Sequence, residues 1–383
     1  MVLTEAITLW APLLMAVDSG STGALGALQP TADTVIAVPA DGVLHYTHIK
    51  IPAGITVSFA RNAANTGVVL LATEAVVISG ILDVSGAGPT GGVGAFAAVG
   101  GLAGPGGGDG GSALVGGGAL SGLGAAGGGS HATCRGAGGG SWIRASGAGA
   151  CPCAVIPEDV TGFELPLTGG SGGGAADGDA GGGGGGFVVV ASNVSIRVEG
   201  AIRARGGVGG PKGGSGGGGA VRLVAPLIDG AGELDTRAPD CEARCDAATC
   251  GAPGLVRLEA DEVDPGLVGR ITAAFSVGPP GPIDLGRSVR ILSVAGQSPA
   301  ASAAHGHLLD PVAVNDGTSV AILVEGRGIS AGAPVVLVVM PSDGRRLRYV
   351  APCTGTPACT ASFSVPRPAL SGAAALQALV EQP

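Results

Sequence analysis

Four stretches of the chain repeat the same order of apolar and polar positions. They start at Val68, Phe187, Ala220 and Leu255, and the last three starts lie 33 and 35 residues apart. Each has an apolar run, a short polar corner and two further short alternating runs. Alternation with a period of two residues is typical of β-strands. The pattern therefore predicts a repeat of three short strands, in the fourth stretch as in the others.

One such repeat makes one coil of a parallel β-helix, because a coil buries its apolar side chains and pairs its backbone groups only when other coils stack on it. Residues 34–59 are interpreted as the first coil, since their aliphatic residues alternate around a turn at residues 52–54. An antiparallel sandwich with similar strand spacing is the alternative, and the repeated order of the runs favours the solenoid. We predict an all-β fold in which a right-handed parallel β-helix spans residues 34–275, after an N-terminal segment of residues 1–33.

Residues 87–186 form a glycine-rich insertion between two coils, and residues 206–219 form a short one at the equivalent place in the next coil. Three structures suit this composition: a flexible surface loop, low-complexity disorder, or packed extended segments with three residues per turn, as in polyglycine II. Scattered Val, Leu and Phe residues and the near absence of charge favour packing, because disordered segments are usually polar or charged. We predict a polyglycine-II-like excursion beside the β-helix.

The composition changes near residue 276, where the glycine runs stop and a proline-rich linker, VGPPGPIDLG, begins. The remaining residues, 276–383, contain several short apolar runs separated by turn residues. The segment at residues 342–344 separates two of these runs as the turn of a β-hairpin would. We predict a small antiparallel β-sandwich, immunoglobulin-like in outline.

Glycine supplies 76 of the 383 residues, aromatic residues 3% and charged residues 13%. Glycine at this density destabilises helices, so the composition excludes an ordinary helical enzyme. The hydrophobic fraction of 45% and the mean hydropathy of +0.47 are sufficient for a core and argue against disorder. The net charge of -9 disfavours nucleic acid and anionic membrane surfaces as partners. We expect no transmembrane span, because the long charge-free windows consist largely of Gly and Ala.

Eight cysteines predict disulfide bonds and an oxidising compartment, because most of them lie in loop-like polar sequence rather than in apolar strands. Cys353 and Cys359 are six residues apart and suggest a bond that closes a loop. The other candidates are Cys134, Cys151, Cys153, Cys241, Cys245 and Cys250. Their pairing cannot be read from the sequence, and free thiols in a cytosolic protein are the alternative.

The apolar run of residues 7–17 is about as long as the core of a signal peptide. Glu5 precedes this run and no Lys or Arg does, which is unlike a signal peptide. The sequence leaves open whether the run is a targeting segment or part of the mature fold.

Two clusters could hold a metal ion. One is a set of four possible zinc ligands: His131, Cys134, Cys151 and Cys153. It lacks the paired Cys-x-x-Cys spacing that is typical of zinc sites. The other is a set of aspartates among glycines, as in calcium-binding repeats: Asp109, Asp177 and Asp179. The nine-residue period of those repeats is absent, so we predict no metal site and no cofactor.

Paired carboxylates on adjacent coils could cleave a polysaccharide. The candidates are Glu233, Asp235, Glu259, Asp261, Glu262 and Asp264, together with Arg203, Arg205 and Arg222. Four histidines have no evident partner in the sequence: His45, His48, His305 and His307. Because charged residues are expected on the outside of any solenoid, we predict no catalytic residue.

The segments GGGGGFVVVASNVSIRVEGAIRARGG and GGGGAVRLVAPLIDGAGELDTRA resemble the coils of glycine-rich parallel β-helix proteins, which occur among the surface and secreted proteins of large-genome bacteria such as myxobacteria. The opening HIKIPAGITVSF is similar to the first coils of that group. DGTSVAILVEGRGISAGAPVVLVV resembles the immunoglobulin-like module that its members often carry. The resemblance spans residues 34–380 and implies an architecture, but it identifies no site residue. In composition alone, the glycine runs also resemble the packed polyglycine of some phage tail-fibre adhesins.

These observations predict a non-enzymatic extracellular structural protein, a component of the cell surface or of an appendage. Open coil ends and free strand edges could stack, so the expected partners are further copies, in fibres, or other surface components. A host- or glycan-binding adhesin, of a bacterium or a phage tail fibre, is the alternative. A polysaccharide-active β-helix enzyme is the third possibility, although aromatic platforms for sugars are scarce.

Overall fold

The computed structural model describes residues 17–380, apart from several internal segments: residues 94–95, 116–118, 121, 125–126, 129–168, 240–249, 272, 284–287, 299–311, 313, 315–316, 343–346, 357 and 371–373. Nearly all of the regular structure in this part of the chain is β-strand. No helix within it has the length and apolar character needed to cross a membrane.

The first half of the fold is a stack of short strands. In chain order they are β1 (Thr34–Ala37), β2 (Val43–Tyr46), β3 (Ile49–Ile51), β4 (Thr56–Ala60), β5 (Val68–Ala72), β6 (Val76–Ile78), β7 (Ile81–Asp83), β8 (Thr90–Val93), β9 (Phe96–Val99), β10 (Ala113–Leu114), β11 (Phe187–Ser192), β12 (Ser195–Val198), β13 (Ala201–Arg203), β14 (Ala220–Val224), β15 (Leu227–Asp229), β16 (Glu233–Asp235), β17 (Leu255–Glu259), β18 (Glu262–Val263) and β19 (Ala274–Gly278). A short helix, α1 (Pro265–Val268), lies between the last two. Strands β8 to β10 form a small antiparallel sheet inside the glycine-rich insertion.

The other strands form three parallel sheets that wind around one core, as predicted for a parallel β-helix. The sheets have the orders β2-β5-β11-β14-β17-β19, β3-β6-β12-β15-β18 and β1-β4-β7-β13-β16. We call them the first, second and third sheet. Residues of successive coils stack in register, so that like side chains form buried columns: Val68, Val188, Val221 and Val256 in one, and Leu70, Val190, Leu223 and Leu258 in the next. Each coil thereby shields the aliphatic side chains of its neighbours from water.

The register differs from the predicted alignment at one repeat. Phe187, Ala220 and Leu255 pair as expected, but Val68 pairs with Val188, one residue further along. The Phe187 ring lies against Gly67, where a Cβ atom would come within 2.5 Å of Cδ1. Because Gly67 leaves room for the ring, the apolar run of the later coil can begin one residue earlier, at Phe187, than the run that starts at Val68.

The fourth repeat lacks the third strand that the sequence predicts, and this expectation is wrong. Helix α1 replaces the strand, with Pro265 in its first turn and the Asp264 carboxylate accepting a hydrogen bond from Gly266 N–H. Proline is well tolerated at a helix start and aspartate caps it. Leu267 is fully buried in the core, so the helix covers this end of the solenoid.

The other end of the solenoid is covered by residues 17–31. Leu25 N–H donates to His45 O (2.8 Å), and Leu28 forms a parallel bridge with Ile49. These residues add an incomplete coil before the first full one and satisfy backbone groups that would otherwise face water.

The glycine-rich insertion packs around one straight run, Gly181–Gly186, in the manner of polyglycine II. Every residue of the run donates one backbone hydrogen bond and accepts one, at 2.7 to 3.0 Å. Residues of the run that are three positions apart form hydrogen bonds to the same neighbouring segment, as expected of a chain with three residues per turn. The segments around the run are residues 84–87, 101–104, 108–111, 170–173, 204–207 and 214–217. We call this arrangement the glycine lattice.

The lattice is continuous with the solenoid. Gly186 N–H donates to Val84 O at the end of β7, and Ala220 N–H at the start of β14 donates to Gly186 O. The short insertion at residues 206–219 belongs to it, as its equivalent position in the repeat predicts. Residues 250–254 join as well, because Gly218 N–H donates to Ala252 O at 2.8 Å. This third excursion has few glycines and was not foreseen from the sequence.

The C-terminal domain consists of two antiparallel sheets, as predicted. Its strands are β20 (Ser288–Val294), β21 (Ser319–Arg327), β22 (Pro334–Pro341), β23 (Leu347–Pro352), β24 (Ala358–Pro366) and β25 (Ala374–Val380), with a 3₁₀ turn at Arg367–Leu370. The sheet orders are β20-β21-β24 and β23-β22-β25, and β22 and β23 form the predicted hairpin. The predicted domain boundary at residue 276 falls inside β19, which belongs to the solenoid.

The C-terminal domain also contacts the glycine lattice. Val336, Val338 and Met340 of β22 form a buried cluster with Leu123, and Gly124 N–H donates to the side chain of Gln377 (2.8 Å). This contact uses the face of the β22 sheet that points away from the sandwich core, which contains Val335, Leu337 and Val339.

Candidate functional site

The outward faces of the coils carry most of the charged residues that could perform chemistry. On the first sheet, the Arg222 guanidinium lies against the Glu259 carboxylate of the next coil, with Nη2 to Oε2 at 2.8 Å. Both side chains are almost completely buried. Arg257 Nε donates to the same carboxylate at 3.1 Å. Stacking places these residues one coil apart, although they are separated by 37 positions in the sequence.

This buried ionic cluster binds the interdomain linker. Gly281 N–H donates to Glu259 Oε2 at 3.0 Å, and Arg222 Nη2 donates to Pro282 O at 3.0 Å. Burial alone would raise the pKa of Glu259, but hydrogen bonds and charge from Arg222, with help from Arg257 and Gly281, lower it below 4.5. The carboxylate is therefore ionised at neutral pH, and its oxygens are engaged inside the protein.

A second charged row lies on the outward face of the third sheet. Asp83, Arg203 and Asp235 occupy equivalent positions in three successive coils. The Asp235 carboxylate is fully buried between the guanidinium groups of Arg205 and Arg237. Arg237 contacts it through two hydrogen bonds of 2.9 Å, and also contacts Glu233 at 3.1 Å. The Asp235 carboxylate is therefore neutralised by arginines of the same molecule.

The pKa of Asp235 reflects its burial and its interaction with Arg237 and Arg205. Burial alone would raise this pKa, but hydrogen bonds from Arg237 and Arg205 outweigh that effect and set it at about 2, against an ordinary 3.8. A carboxylate with a depressed pKa stabilises the fold above its unfolded-state pKa and loses that contribution as the pH falls towards its folded-state pKa.

We expect the free energy of unfolding to fall by roughly 2 kcal/mol through Asp235 alone when the pH is lowered from 5 to 2. Urea unfolding of the wild type and of Asp235→Asn, at a series of pH values, measures this contribution. The variant is expected to be less stable at pH 7 and to have a flatter acid limb. Asp261→Asn, at an exposed position, should keep the wild-type acid limb. Identical acid limbs for the wild type and Asp235→Asn would contradict this assignment.

An open depression of about 380 Å³ lies at the corner between the second and third sheets. It is lined by Glu199, Gly200, Ala231, Gly232, Glu233 and Arg270. Glu199 is held by Arg197 Nε at 2.6 Å, and Arg197 also lies 3.6 Å from Asp229 of the next coil. Glu233 is likewise held by Arg237, so each glutamate of the depression is paired with an arginine of the chain.

The remaining candidates for catalysis are dispersed. Asp264 caps helix α1, while Asp261 and Glu262 are exposed beside β18. The predicted set of carboxylates therefore separates into the Asp235 and Glu259 clusters, the helix cap and solvent-exposed groups. Each of the two buried carboxylates is saturated by arginines of the chain itself.

The aspartates considered as calcium ligands are also apart from one another. Asp109 is buried in the glycine lattice, where its carboxylate contacts Arg61 at 2.6 Å and accepts from Ala103 N–H. Asp177 pairs with Lys212 at a surface turn, and Asp179 accepts from the Lys212 N–H. No group of three metal-ligating side chains comes together in the described part of the chain. The possible zinc ligands His131, Cys134, Cys151 and Cys153 lie outside it.

Of the histidines, His45 accepts a hydrogen bond from Thr22 N–H through Nδ1, and His48 Nδ1 lies 3.7 Å from Glu74. His305 and His307 are outside the described residues. The predicted bond between Cys353 and Cys359 is confirmed, in the core of the C-terminal domain. Cys250 is disulfide-bonded as well. The other candidates, Cys134, Cys151, Cys153, Cys241 and Cys245, lie outside the described residues.

Comparison with known proteins gave no match at any of three levels. The chain matches no protein-family model, no curated protein and no solved structure.

Sequence reasoning missed two ionic contacts that hold the parts of the molecule together. Arg61 with Asp109 ties the connection between β4 and β5 to the glycine lattice, and Arg222 with Glu259 ties the linker to the first sheet. The available signal was a charged residue within an otherwise apolar strand or glycine run. Such a residue is almost never fully buried unless it is paired.

Proposed function

We propose that this protein is a non-enzymatic extracellular structural protein, a rigid component of the cell surface or of an appendage. The observation that carries the proposal is the glycine lattice joined to the solenoid. Gly181–Gly186 are surrounded by six segments, and every backbone N–H and C=O of the run is used. A backbone held in this way on all sides resists bending and offers little to a protease, and both properties suit a load-bearing or presenting part.

Two further observations support an extracellular structural role. The buried carboxylates Asp235 and Glu259 are neutralised by arginines of the same molecule, so they are poorly placed to exchange protons with a substrate. Disulfide bonds at Cys250 and between Cys353 and Cys359 are typical of an oxidising compartment.

The location is tested by labelling intact cells that produce the protein with an amine-reactive biotin reagent that does not cross membranes. Lys50 is exposed on β3 and is one of two lysines in the chain. We expect the protein to be labelled without lysis, and less so in Lys50→Arg, the matched control. Labelling that requires lysis, with a known cytosolic protein labelled in parallel, would overturn the proposal.

An adhesin is the second candidate, and the depression beside Glu199, Glu233 and Arg270 favours it. A glycan array probed with the fluorescently labelled protein decides between the two roles. Retention of one glycan class that is lost in Glu233→Gln and kept in Asp261→Asn would establish the adhesin. Absence of retention above that of an unrelated protein would leave the structural role as the better account.

A further inference from the structure

Strand β19 is an open edge of the solenoid. It pairs in parallel with β17 on one side, and no strand in the described part of the chain pairs with its other side. The second and third sheets end earlier, at β18 and β16, where helix α1 covers the core. The first sheet therefore extends one strand beyond the covered end of the coil stack.

The side chains of β19 make this edge apolar. Phe275 and Val277 pair in register with Val256 and Leu258, which are fully buried in the core. They occupy the same interior face of the sheet, yet they are 44% and 48% exposed. Ala274, Ser276 and Gly278 complete the strand, which has no charged residue. Natural sheet edges are usually protected from pairing by charges, bulges or a covering segment.

The hydrogen-bond phase of β19 shows which backbone groups are available. Gly278 O accepts from Ala260 N–H. In a parallel ladder alternate residues point their N–H and C=O groups to the same side. The groups of Ala274, Ser276 and Gly278 are therefore directed to β17, and those of Phe275 and Val277 to the free edge.

The described part of the linker, residues 279–283, does not cover this edge. After Pro279 and Pro280 the chain turns back along the outward face of the first sheet, where Gly281 and Pro282 bind Glu259 and Arg222. Ile283 then packs against the apolar cluster on that face. The contacts of the C-terminal domain with Leu123 and Gly124 do not involve β19.

We propose that β19 is a dimerisation strand, to which a second copy of this chain adds its own β19 in antiparallel orientation. The inference rests on the proposed structural role and names its partner. With Ser276 at the two-fold axis, Phe275 lies opposite Val277 of the second copy, and Ala274 lies opposite Gly278. Large side chains thus lie opposite large ones and small residues opposite small ones, and β19 itself has no charged residue. Aromatic residues opposite β-branched ones are favourable cross-strand pairs.

The same register satisfies the free backbone groups. Phe275 of each copy forms a hydrogen-bonded pair with Val277 of the other copy, so that there are two such pairs related by the axis. Ser276 lies opposite Ser276 of the second copy as a non-hydrogen-bonded pair. A two-fold contact of this kind is closed, because each copy uses the same strand. Because the two-fold contact is closed, the expected product is a dimer joined through β19 rather than a fibre.

Sedimentation velocity over a concentration series of the full-length protein tests this inference. We expect a monomer–dimer equilibrium in the wild type and a monomer in Val277→Pro, which removes one outward-facing N–H and leaves the hydrogen bonds to β17 in place. The unfolding midpoint of this variant shows that it is folded, and Phe275→Lys is the second variant should it not fold. A wild type that stays monomeric, or that forms longer polymers, would overturn the proposal.

A cysteine at the two-fold axis locates the contact. Ser276→Cys should form an intermolecular disulfide on mild oxidation, since non-hydrogen-bonded antiparallel positions bring the two Cβ atoms close together. Ser362→Cys, at an exposed position on β24, is the matched control and should remain monomeric. Equal cross-linking of the two variants would contradict the assignment. A monomer in these experiments would leave the cell-surface labelling unchanged, so the two proposals fail separately.

Discussion

Gly183→Ala is expected to destabilise the protein by about 3 kcal/mol or more, a large effect for a single methyl group. A Cβ atom at this position would lie 2.2 Å from Leu102 O and 2.3 Å from Leu102 C. These are backbone atoms inside the lattice, so no side-chain rotation can relieve the overlap. The neighbouring segment must move, and the hydrogen bonds from Gly183 to Ala87 and from Gly207 to Gly183 are then strained.

Denaturant unfolding followed by far-ultraviolet circular dichroism measures the loss. Gly91→Ala is the matched control, because a Cβ atom there meets nothing within 4 Å. That substitution should change the free energy of unfolding by about 0.5 kcal/mol or less. Hydrogen exchange adds the location: amides of the lattice should lose protection in Gly183→Ala before those of β14 and β17. The same midpoint for the two alanine variants would show that the run is not packed as described.

Arg222→Met is expected to cost about 3 kcal/mol and to release the linker from the first sheet. The substitution removes the main partner of the Glu259 carboxylate, which is only 2% exposed. Breaking a buried ion pair by removing one partner typically costs 3–5 kcal/mol because the other charge is left uncompensated. The lower end applies here, since Arg257 and Gly281 still contact the carboxylate.

The molecule contains its own control for this prediction. Arg197 and Glu199 form an ion pair with a shorter contact of 2.6 Å, but their side chains are 55% and 34% exposed. Arg197→Met should therefore destabilise the protein far less than Arg222→Met, because water screens an exposed ion pair. Limited proteolysis should cleave the linker near residues 279–283 in Arg222→Met and not in Arg197→Met. Adding Glu259→Gln to Arg222→Met should recover part of the loss, because no buried charge remains.

If Arg222→Met and Arg197→Met have equal stability and are cleaved equally, burial does not determine how much each ion pair contributes. A double variant no more stable than Arg222→Met would show that packing of the arginine stem, rather than the stranded charge, accounts for the cost. The two comparisons therefore distinguish the effect of the buried charge at position 222 from the effect of side-chain packing.

The coils and the sandwich were predictable from local sequence patterns. Strand alternation is a local property, and a coil whose apolar side chains alternate can bury them only in a stack. The order of apolar run, corner and alternation therefore indicated where the strands of most coils lie. The bond between Cys353 and Cys359 was likewise local, since six residues separate its two ends.

The arrangement of the glycines depends on contacts between distant segments and was not predictable from the sequence. A run such as Gly181–Gly186 has no side-chain pattern that could encode its neighbours, and its contacts are made by backbone atoms of six segments that are distant in sequence. Composition predicted that these segments pack, but not which segment lies beside which. The substitution of helix α1 for a strand also depended on context, because the core at that end needed a cover that a further strand would not provide.

The partners of the charged residues were decided in the same way. Arg222 meets Glu259 because β14 and β17 stack with an offset of 35 residues, which places Glu259 two positions beyond the residue that pairs with Arg222. Arg61 meets Asp109 because the lattice folds back on the connection between β4 and β5. Charges were visible in the sequence, but burial and pairing follow from how coils and lattice stack. The physical reason is that strand formation needs only neighbours along the chain, whereas an ion pair or a glycine contact exists only once distant segments have met.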